Sequence, residues 1–351
     1  MAQNRIPVGV LGATGAVGQY LVALLDRHPW FEPVWLAASD RSRGKRYAEA
    51  TRWRLRTLLP ERVAALPVAE ATPQGCPVKV IFASVDAVTA RELEPAFAAA
   101  GHHVISNSSA LRMEPDVPLV VPECNPEHLA LIERQASFAK SGGYAVTNPN
   151  CCTAGLVMAL APLERAFGVV SVMVTTMQAV SGAGYPGVAS LDAMGNVIPY
   201  IAQEEEKLQV EAQKILGRLT AAGIQPAAFA LSAHCNRVAV IDGHMEAVSV
   251  KLKQRASLED VARVLDSFRG KPQELRLPSA PERPVQVMSA PDRPQPRLDV
   301  EAGGGMTASV GRLRPCPVLD YKFTVLSHNM VRGAAGAAVL NAELLHAEHR
   351  L

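Results

Sequence analysis

Residues 147–155, TNPNCCTAG, carry the most chemical potential in the chain. Pro149 and Asn150 suit the start and cap of a helix, and Leu156, Leu160, Leu163 and Phe167 then recur at helical spacing. Cys151 therefore falls in a first helical turn, among unpaired backbone N–H groups at the positive end of a helix dipole. Such a position lowers a thiol pKa from about 8.5 into a range of about 3.5–7.5, and the thiolate is the nucleophile. The same N–H groups are candidates to hold the oxyanion formed when sulfur attacks a carbonyl. Cys152 offers a second thiol, turned about 100° further round the helix. A cysteine at a helix start is more often packing than catalysis, so the rest of the chain has to supply the partners of a reaction.

The first partner is a cofactor. An apolar run at 6–11 leads into GATGAVG at 12–18, and 20–26 has a helical pattern. Strand, glycine turn and helix in that order are the context of a dinucleotide fingerprint, in which Gly12, Gly15 and Gly18 let backbone approach a pyrophosphate. A second strand, 33–38, ends in SDRSRGK at 39–45. An acid there holds the ribose hydroxyls of NAD, whereas a nearby Arg suits the 2′-phosphate of NADP. Asp40 is the acid, yet Ser39, Arg41, Ser42 and Lys45 offer hydroxyls and positive charge, and the balance favours NADP over NAD. A solvated basic loop is the alternative reading.

Further strands are expected at 78–83 and 103–106, with a helix at 87–100 that Pro95 kinks or splits. The βαβαβ alternation implies a parallel sheet with helices on both faces. Arg112 lies just past the carboxyl end of a strand, where open α/β sheets collect ligands and an Arg can clamp an anion. His102 and His103 have no third ligand nearby and read as structural. After residue 169 the pattern changes: a strand at 170–179, a glycine loop at 181–184, and a helix at 197–211 whose residues 204, 207 and 211 share one face. Runs at 236–241 and 246–252 bracket Asp242-Gly243 and predict a hairpin with a tight turn, carrying Arg237 and His244. A helix at 258–269, a long proline-rich loop from 272 to 305, a strand at 318–326 and a helix at 331–349 complete the pattern.

Bulk properties restrict the function classes. At 351 residues the chain exceeds one usual core, so two domains are expected. Composition is 48% hydrophobic and 19% charged with net charge +2, and no basic block argues for nucleic acid or an anionic membrane as partner. The chain starts directly into a strand without a charged-then-apolar leader, and no apolar run approaches the 18 or so residues of a membrane span. Six scattered cysteines show no zinc-like spacing, so no metal is expected and a cytoplasmic enzyme with reduced thiols is.

Taken together, GATGAVG (12–18), ASDRSRGK (38–45), NPNCCTAG (148–155), QAVSGAG (178–184), GNVIPYIAQEEEK (195–207), SAHCNRVAVIDGH (232–244), PDRPQPRLD (291–299) and LSHNMVRGAAG (326–336) resemble the aspartate-β-semialdehyde dehydrogenases of the archaeal and fungal-type branch, nearly end to end. The resemblance implies an α/β chain, with a Rossmann-type doubly wound parallel sheet binding NADP in residues 1–150 plus a C-terminal helix at 331–351. Residues 151–330 would form an α+β catalytic and dimerisation domain, in a homodimer or homotetramer. It also implies roles. Cys151 matches the nucleophile, His244 the general acid/base, Gln178 a residue orienting the substrate, and Arg237 the group holding the substrate α-carboxylate. Glu204 matches a carboxylate facing the substrate amino group, and Lys207 with Arg112 a phosphate site. Gly12, Thr14, Gly15, Ala16, Val17, Gly18, Ser39, Arg41, Ser42, Lys45, Ser84, Gly182 and Asn329 match the cofactor site. The branch commonly has Ser after the nucleophile where this chain has Cys152, so either thiol is open; the register of N-P-N-C-x-T favours Cys151.

The implied reaction is NADPH-dependent reduction of L-aspartyl-4-phosphate to the semialdehyde, in the biosynthesis of lysine, threonine and methionine. A malonyl-CoA reductase of the same fold is the nearest alternative, with little use for a phosphate site. A Cys–His hydrolase without nicotinamide and a non-catalytic nucleotide-binding paralogue fit less of the pattern.

Overall fold

The computed structural model describes residues 5–351, and the reading of the first four residues as running straight into a strand lies outside them. Six strands, β1 (Ile6–Leu11), β2 (Phe31–Ala37), β3 (Val68–Ala69), β4 (Val80–Ala83), β5 (His103–Ser106) and β6 (Tyr144–Thr147), form a first sheet. Their order is β3-β2-β1-β4-β5-β6, and every pairing is parallel. All four residues of β4, β5 and β6 are buried, as expected of parallel strands covered on both faces. Helix α1 (Ala16–Asp26) packs on one face with Leu21 and Leu25, and α2 (Ala87–Ala99) covers the other, where Phe97 meets Trp35. Pro95 sits inside α2 without ending it.

After β6 the chain crosses into a second core through α3 (Cys151–Phe167), with residues 152–163 of the helix buried. The strands β7 (Val169–Gln178), β8 (Val197–Ile198), β11 (Ala230–Val238), β12 (His244–Leu252), β13 (Val285–Met288), β14 (Ala308–Pro315) and β15 (Tyr321–Ser327) make a mixed sheet; β9 (Arg218–Thr220) and β10 (Gly223–Gln225) pair separately. The order is β13-β14-β15-β12-β7-β11-β8. Helices α3, α4 (Glu204–Ile215) and α5 (Leu258–Asp266) bury their apolar residues against it. The last helix, α6 (Gly336–Ala347), returns to the first core, where Leu340 and Leu344 pack.

Three expectations need correction. The predicted hairpin at Asp242-Gly243 does not form, because β7 lies between β11 and β12, parallel to one and antiparallel to the other. The connection instead crosses the end of β7, where Val180 N–H donates to Val240 O and Ser181 N–H to Ile241 O. The helix expected at 197–211 starts only at Glu204; Val197–Ile198 pairs with β11, and Pro199 biases the residue before it to extended backbone. The proline-rich segment is not one long loop, since Val285–Met288 adds a parallel edge strand to the sheet.

Between β15 and α6 the chain makes a π-helical turn, Val331–Ala335. Arg332 of this turn is fully buried and grips Glu123 with two N–H···O bonds of 2.7 and 3.0 Å, while its Nε donates to Met306 O at 2.7 Å. The turn packs against both α1 and α3, so this ion pair fixes the two helix starts relative to each other.

Candidate active site

Asn150 caps α3, and its Oδ1 accepts from the N–H groups of Cys152 at 2.9 Å and Thr153 at 3.3 Å. Those two donors are therefore spent on the cap, so fewer first-turn N–H groups are open to an oxyanion than the sequence suggests. No acidic residue occupies the first turn, so the helix dipole acts unopposed on Cys151. The sulfur lies 3.1 Å from Nε2 of His244, the first residue of β12. Ala179 N–H donates to His244 Nδ1 at 3.0 Å, which leaves the ring proton of the neutral imidazole on Nε2, facing the sulfur. A hydrogen bond from the Cys152 thiol, followed by the interaction with His244, holds the Cys151 thiol well below its ordinary range against the opposing effect of burial. Burial pushes the Cys152 thiol the other way, and its side chain is fully enclosed. Cys151 is thus partly exposed with its thiol favouring ionisation, and Cys152 is buried with its thiol favouring the protonated form.

Gly182 explains how the glycine loop closes on this pair. A Cβ there would sit 3.0 Å from both His244 Nε2 and Arg237 Nη1, so only glycine admits the approach. Arg237 is buried and donates to Ala179 O at 2.8 Å. Gln178, at the end of β7, donates to Glu204 at 3.2 Å, and Asn150 Nδ2 reaches both Glu204 oxygens at 2.9 Å. Burial, then the Cys151 charge, raises the Glu204 carboxyl above its usual range. Lys207 stands 3.8 Å from Glu204, one turn along α4. Arg112 donates to Glu211 at 2.9 Å and to Asn107 O at 2.8 Å, and its buried Nε has no partner. The structure therefore brings Cys151, His244, Gln178, Arg237, Glu204 and Arg112 into one bonded neighbourhood, while Lys207 stands at its edge.

A pocket of about 210 Å³ joins Cys151 and Arg112 to Ala16, Val17, Gly182 and Asn329. Asn329 bridges the sides, donating to Ser181 Oγ at 2.8 Å and accepting from Gly243 N–H at 2.9 Å. A second cavity of about 350 Å³ continues along Thr14, Gly15 and Ala16 to Gln19 and Tyr20. The turn itself has the geometry a dinucleotide requires. Gly12 has φ +81°, and a Cβ there would lie 2.6 Å from Ser84 O; at Gly18 a Cβ would lie 2.2 Å from Gly12 O. Gly15 caps α1 with no side chain over its N–H groups and no acid in the first turn, which leaves an anion seat. Ser39, Arg41, Ser42 and Lys45 remain together after β2, with Ser42 buried and the others exposed.

The comparisons decide the family. A model described as semialdehyde dehydrogenase, NAD binding domain, matches residues 7–132, and one described as semialdehyde dehydrogenase, dimerisation domain, matches 160–332. The aspartate-semialdehyde dehydrogenase of Methanothermobacter thermautotrophicus is 48% identical over 344 residues, covering 97% of this chain and 99% of the relative. This chain belongs to the aspartate-semialdehyde dehydrogenase family. The Candida albicans aspartate-semialdehyde dehydrogenase is 44% identical over 357 residues, 97% of this chain and 98% of its own length. Its crystal structure with NADP superposes at TM-score 0.91 and 42% identity, covering 99% of this chain and all of that one.

As an aspartate-semialdehyde dehydrogenase, an oxidoreductase of aspartate-family amino-acid biosynthesis, the chain has supporting residues that its local sequence does not announce. Glu211 is central, taking Arg112 on one oxygen and Asn150 N–H at 2.6 Å on the other. Its place on the face of 204 and 207 was the available signal. Gly333 is another: a Cβ there would meet Cys151 Cβ at 2.6 Å, and nothing in the local sequence points from 333 to 151.

Proposed function

We propose that this chain reduces L-aspartyl-4-phosphate to L-aspartate 4-semialdehyde with NADPH, through a thioester on Cys151, toward lysine, threonine and methionine. The observation that carries the reading is the 3.1 Å contact between the Cys151 sulfur and His244 Nε2, in a pocket that also reaches the start of α1. The cofactor assignment is supported by the Candida albicans relative crystallised with NADP, and by Ser39, Arg41, Ser42 and Lys45 as the 2′-phosphate loop. When bound, NADPH supplies the hydride. Residues 1–150 with 331–351 would bind it, and 151–330 would carry the chemistry and the contact between copies of a homo-oligomer.

In this reading Arg237 takes the substrate α-carboxylate in a bidentate grip, and Glu204 takes the ammonium with Gln178 orienting the acyl group. Cys151 thiolate attacks the acyl carbonyl carbon, the carbon–oxygen bond to phosphate breaks, and phosphate leaves toward Arg112 and Lys207, taking up one proton from solvent. Splitting the reduction at a covalent acyl-enzyme replaces one difficult step by two easier ones. His244 first donates Nε2–H to the thiolate and then to the oxyanion of each tetrahedral species. After reduction of the thioester the carbon–sulfur bond breaks and Cys151 leaves as thiolate, so the resting charge state of the protein returns and the one proton consumed overall ends on phosphate.

The test runs the reaction backwards. Supplied with L-aspartate semialdehyde and NADP⁺, the protein is expected to sustain production of nicotinamide absorbance beyond a single turnover only when phosphate is present. No phosphate-dependent rate, alongside oxidation of NADPH by malonyl-CoA, would overturn the substrate assignment and leave the fold assignment standing.

A further inference from the structure

Beneath the nucleophile lies a buried acid to which the reaction above gives no role. Glu246 stands two residues after His244 on β12, on the same inward face, and its side chain is fully buried. Neither carboxyl oxygen has a hydrogen-bond partner, and no ion pair reaches it among the described residues. A polar neighbour is equally orphaned. Ser327 Oγ on β15, across the same layer contact, is buried without a partner among the described residues. Gly155 of α3 shows how close the layers come: a Cβ there would lie 2.5 Å from Ser327 Oγ and 3.4 Å from Glu246 Oε1. Strand β7 opposes Glu246 with Thr176, and β15 opposes it with Val325, neither of them charged. The titratable groups that face this region are Cys151 and Cys152 on α3, Glu204 on α4, Cys235 on β11 and His244 on its own strand. No Lys or Arg is among them.

We propose that Glu246 is a positioning residue that stays protonated under the start of α3, so that no second anion lies beneath the Cys151 thiolate. A buried carboxylate without a cation or donors is strongly disfavoured, and a second anion beside a thiolate more so. As a carboxylic acid, Glu246 instead carries no charge and has one O–H to give, and the one polar side chain brought close by the layer contact at Gly155 is the neutral Ser327 hydroxyl. Burial and then the Cys151 charge both push its proton affinity far above the usual carboxylate range. The proposal rests on Cys151 being the group that ionises, and extends that reading to what lets it ionise.

Two measurements test it. Infrared difference spectra of the full chain at neutral pH, native minus Glu246→Gln, are expected to show the carbonyl stretch of a protonated carboxylic acid. That band should shift when Cys151 of the native protein is alkylated with iodoacetamide, which removes the thiolate charge. Absence of the band, or a band unmoved by alkylation at Cys151, overturns the proposal; the alkylation difference needs no variant to fold. In the second measurement the acid limb of Cys151 alkylation stays within about 0.3 pH unit in Glu246→Gln. An acid limb displaced downward by about one unit, a tenfold change in thiolate at a given pH, would mean that the native carboxyl is charged. If the native band shifts as expected but turnover labels a thiol other than Cys151, the charge proposal stands and the nucleophile assignment fails.

Discussion

Helix α1 begins at Gly15, which lays no side chain over its first N–H groups, whereas α3 begins at Asn150, whose Oδ1 accepts from Cys152 and Thr153. Both first turns lack an acidic residue, so both present a positive dipole end. The difference lies in what each is prepared to hold. An open end suits a diffusible anion that comes and goes with its own acceptor oxygens. A closed end suits an anion that belongs to the chain, because the dipole still stabilises the Cys151 sulfur while the cap keeps the helix start ordered. Across the gap, the loop 181–184 and the π-helical turn face both ends, which allows a hydride donor seated at one to meet an acyl group bound at the other.

The largest expected effect separates the two ends cleanly. Cys151→Ala should lower kcat by about 10⁴-fold or more while NADPH binding stays within about twofold, as a fluorescence titration would report. If turnover survives, Cys152 or another group is the nucleophile and the closed end has no covalent role. Next comes Arg332→Ala, which leaves Glu123 buried and unpaired. A loss of about 3–5 kcal/mol in urea unfolding is expected, with cofactor affinity and Cys151 alkylation impaired together. Impairment of only one of them would show that the turn does not link the two ends.

Two smaller changes exchange the properties of the helix starts. Gly15→Asp gives α1 a side-chain cap and a negative charge where the pyrophosphate would sit. Stability should change by only a few tenths of a kcal/mol, while cofactor Kd rises by about tenfold or more. An unaltered Kd would remove the pyrophosphate from this seat. Asn150→Ala opens α3, and the lost cap predicts about 1 kcal/mol lower stability by calorimetry. Unchanged stability there would mean that the contact of the Asn150 side chain with Glu204 opposes the cap.

What the sequence shows of this arrangement is what is local. The turn at 12–18 and the helix start at 150 are each written within a few residues, through glycine spacing and an Asn-Cys cap, and both appear where expected. Contacts across the fold leave no such trace. Arg332 finds Glu123 at a separation of 209 residues, and Arg112 finds Glu211 at 99. Asp242-Gly243 shows the opposite failure, a strong local turn signal whose strands are parted by β7. Glu246 is hidden for a related reason: it falls in phase with the inward Val248, Val250 and Leu252, but nothing local tells that no cation from another element meets it there. Family motifs compensate for this at His244 and Arg237, since they carry spatial information that spacing alone lacks.

The central claim is that Cys151, and not its neighbour, becomes acylated. The most direct measurement mixes the protein with L-aspartate semialdehyde and NADP⁺ in the absence of phosphate, so that the acyl-enzyme has no acceptor, quenches in acid, and maps the peptides by mass spectrometry. An aspartyl mass increment is expected on Cys151, released when phosphate is added before the quench. An increment on Cys152, or none on either thiol during a burst of nicotinamide absorbance, would contradict it.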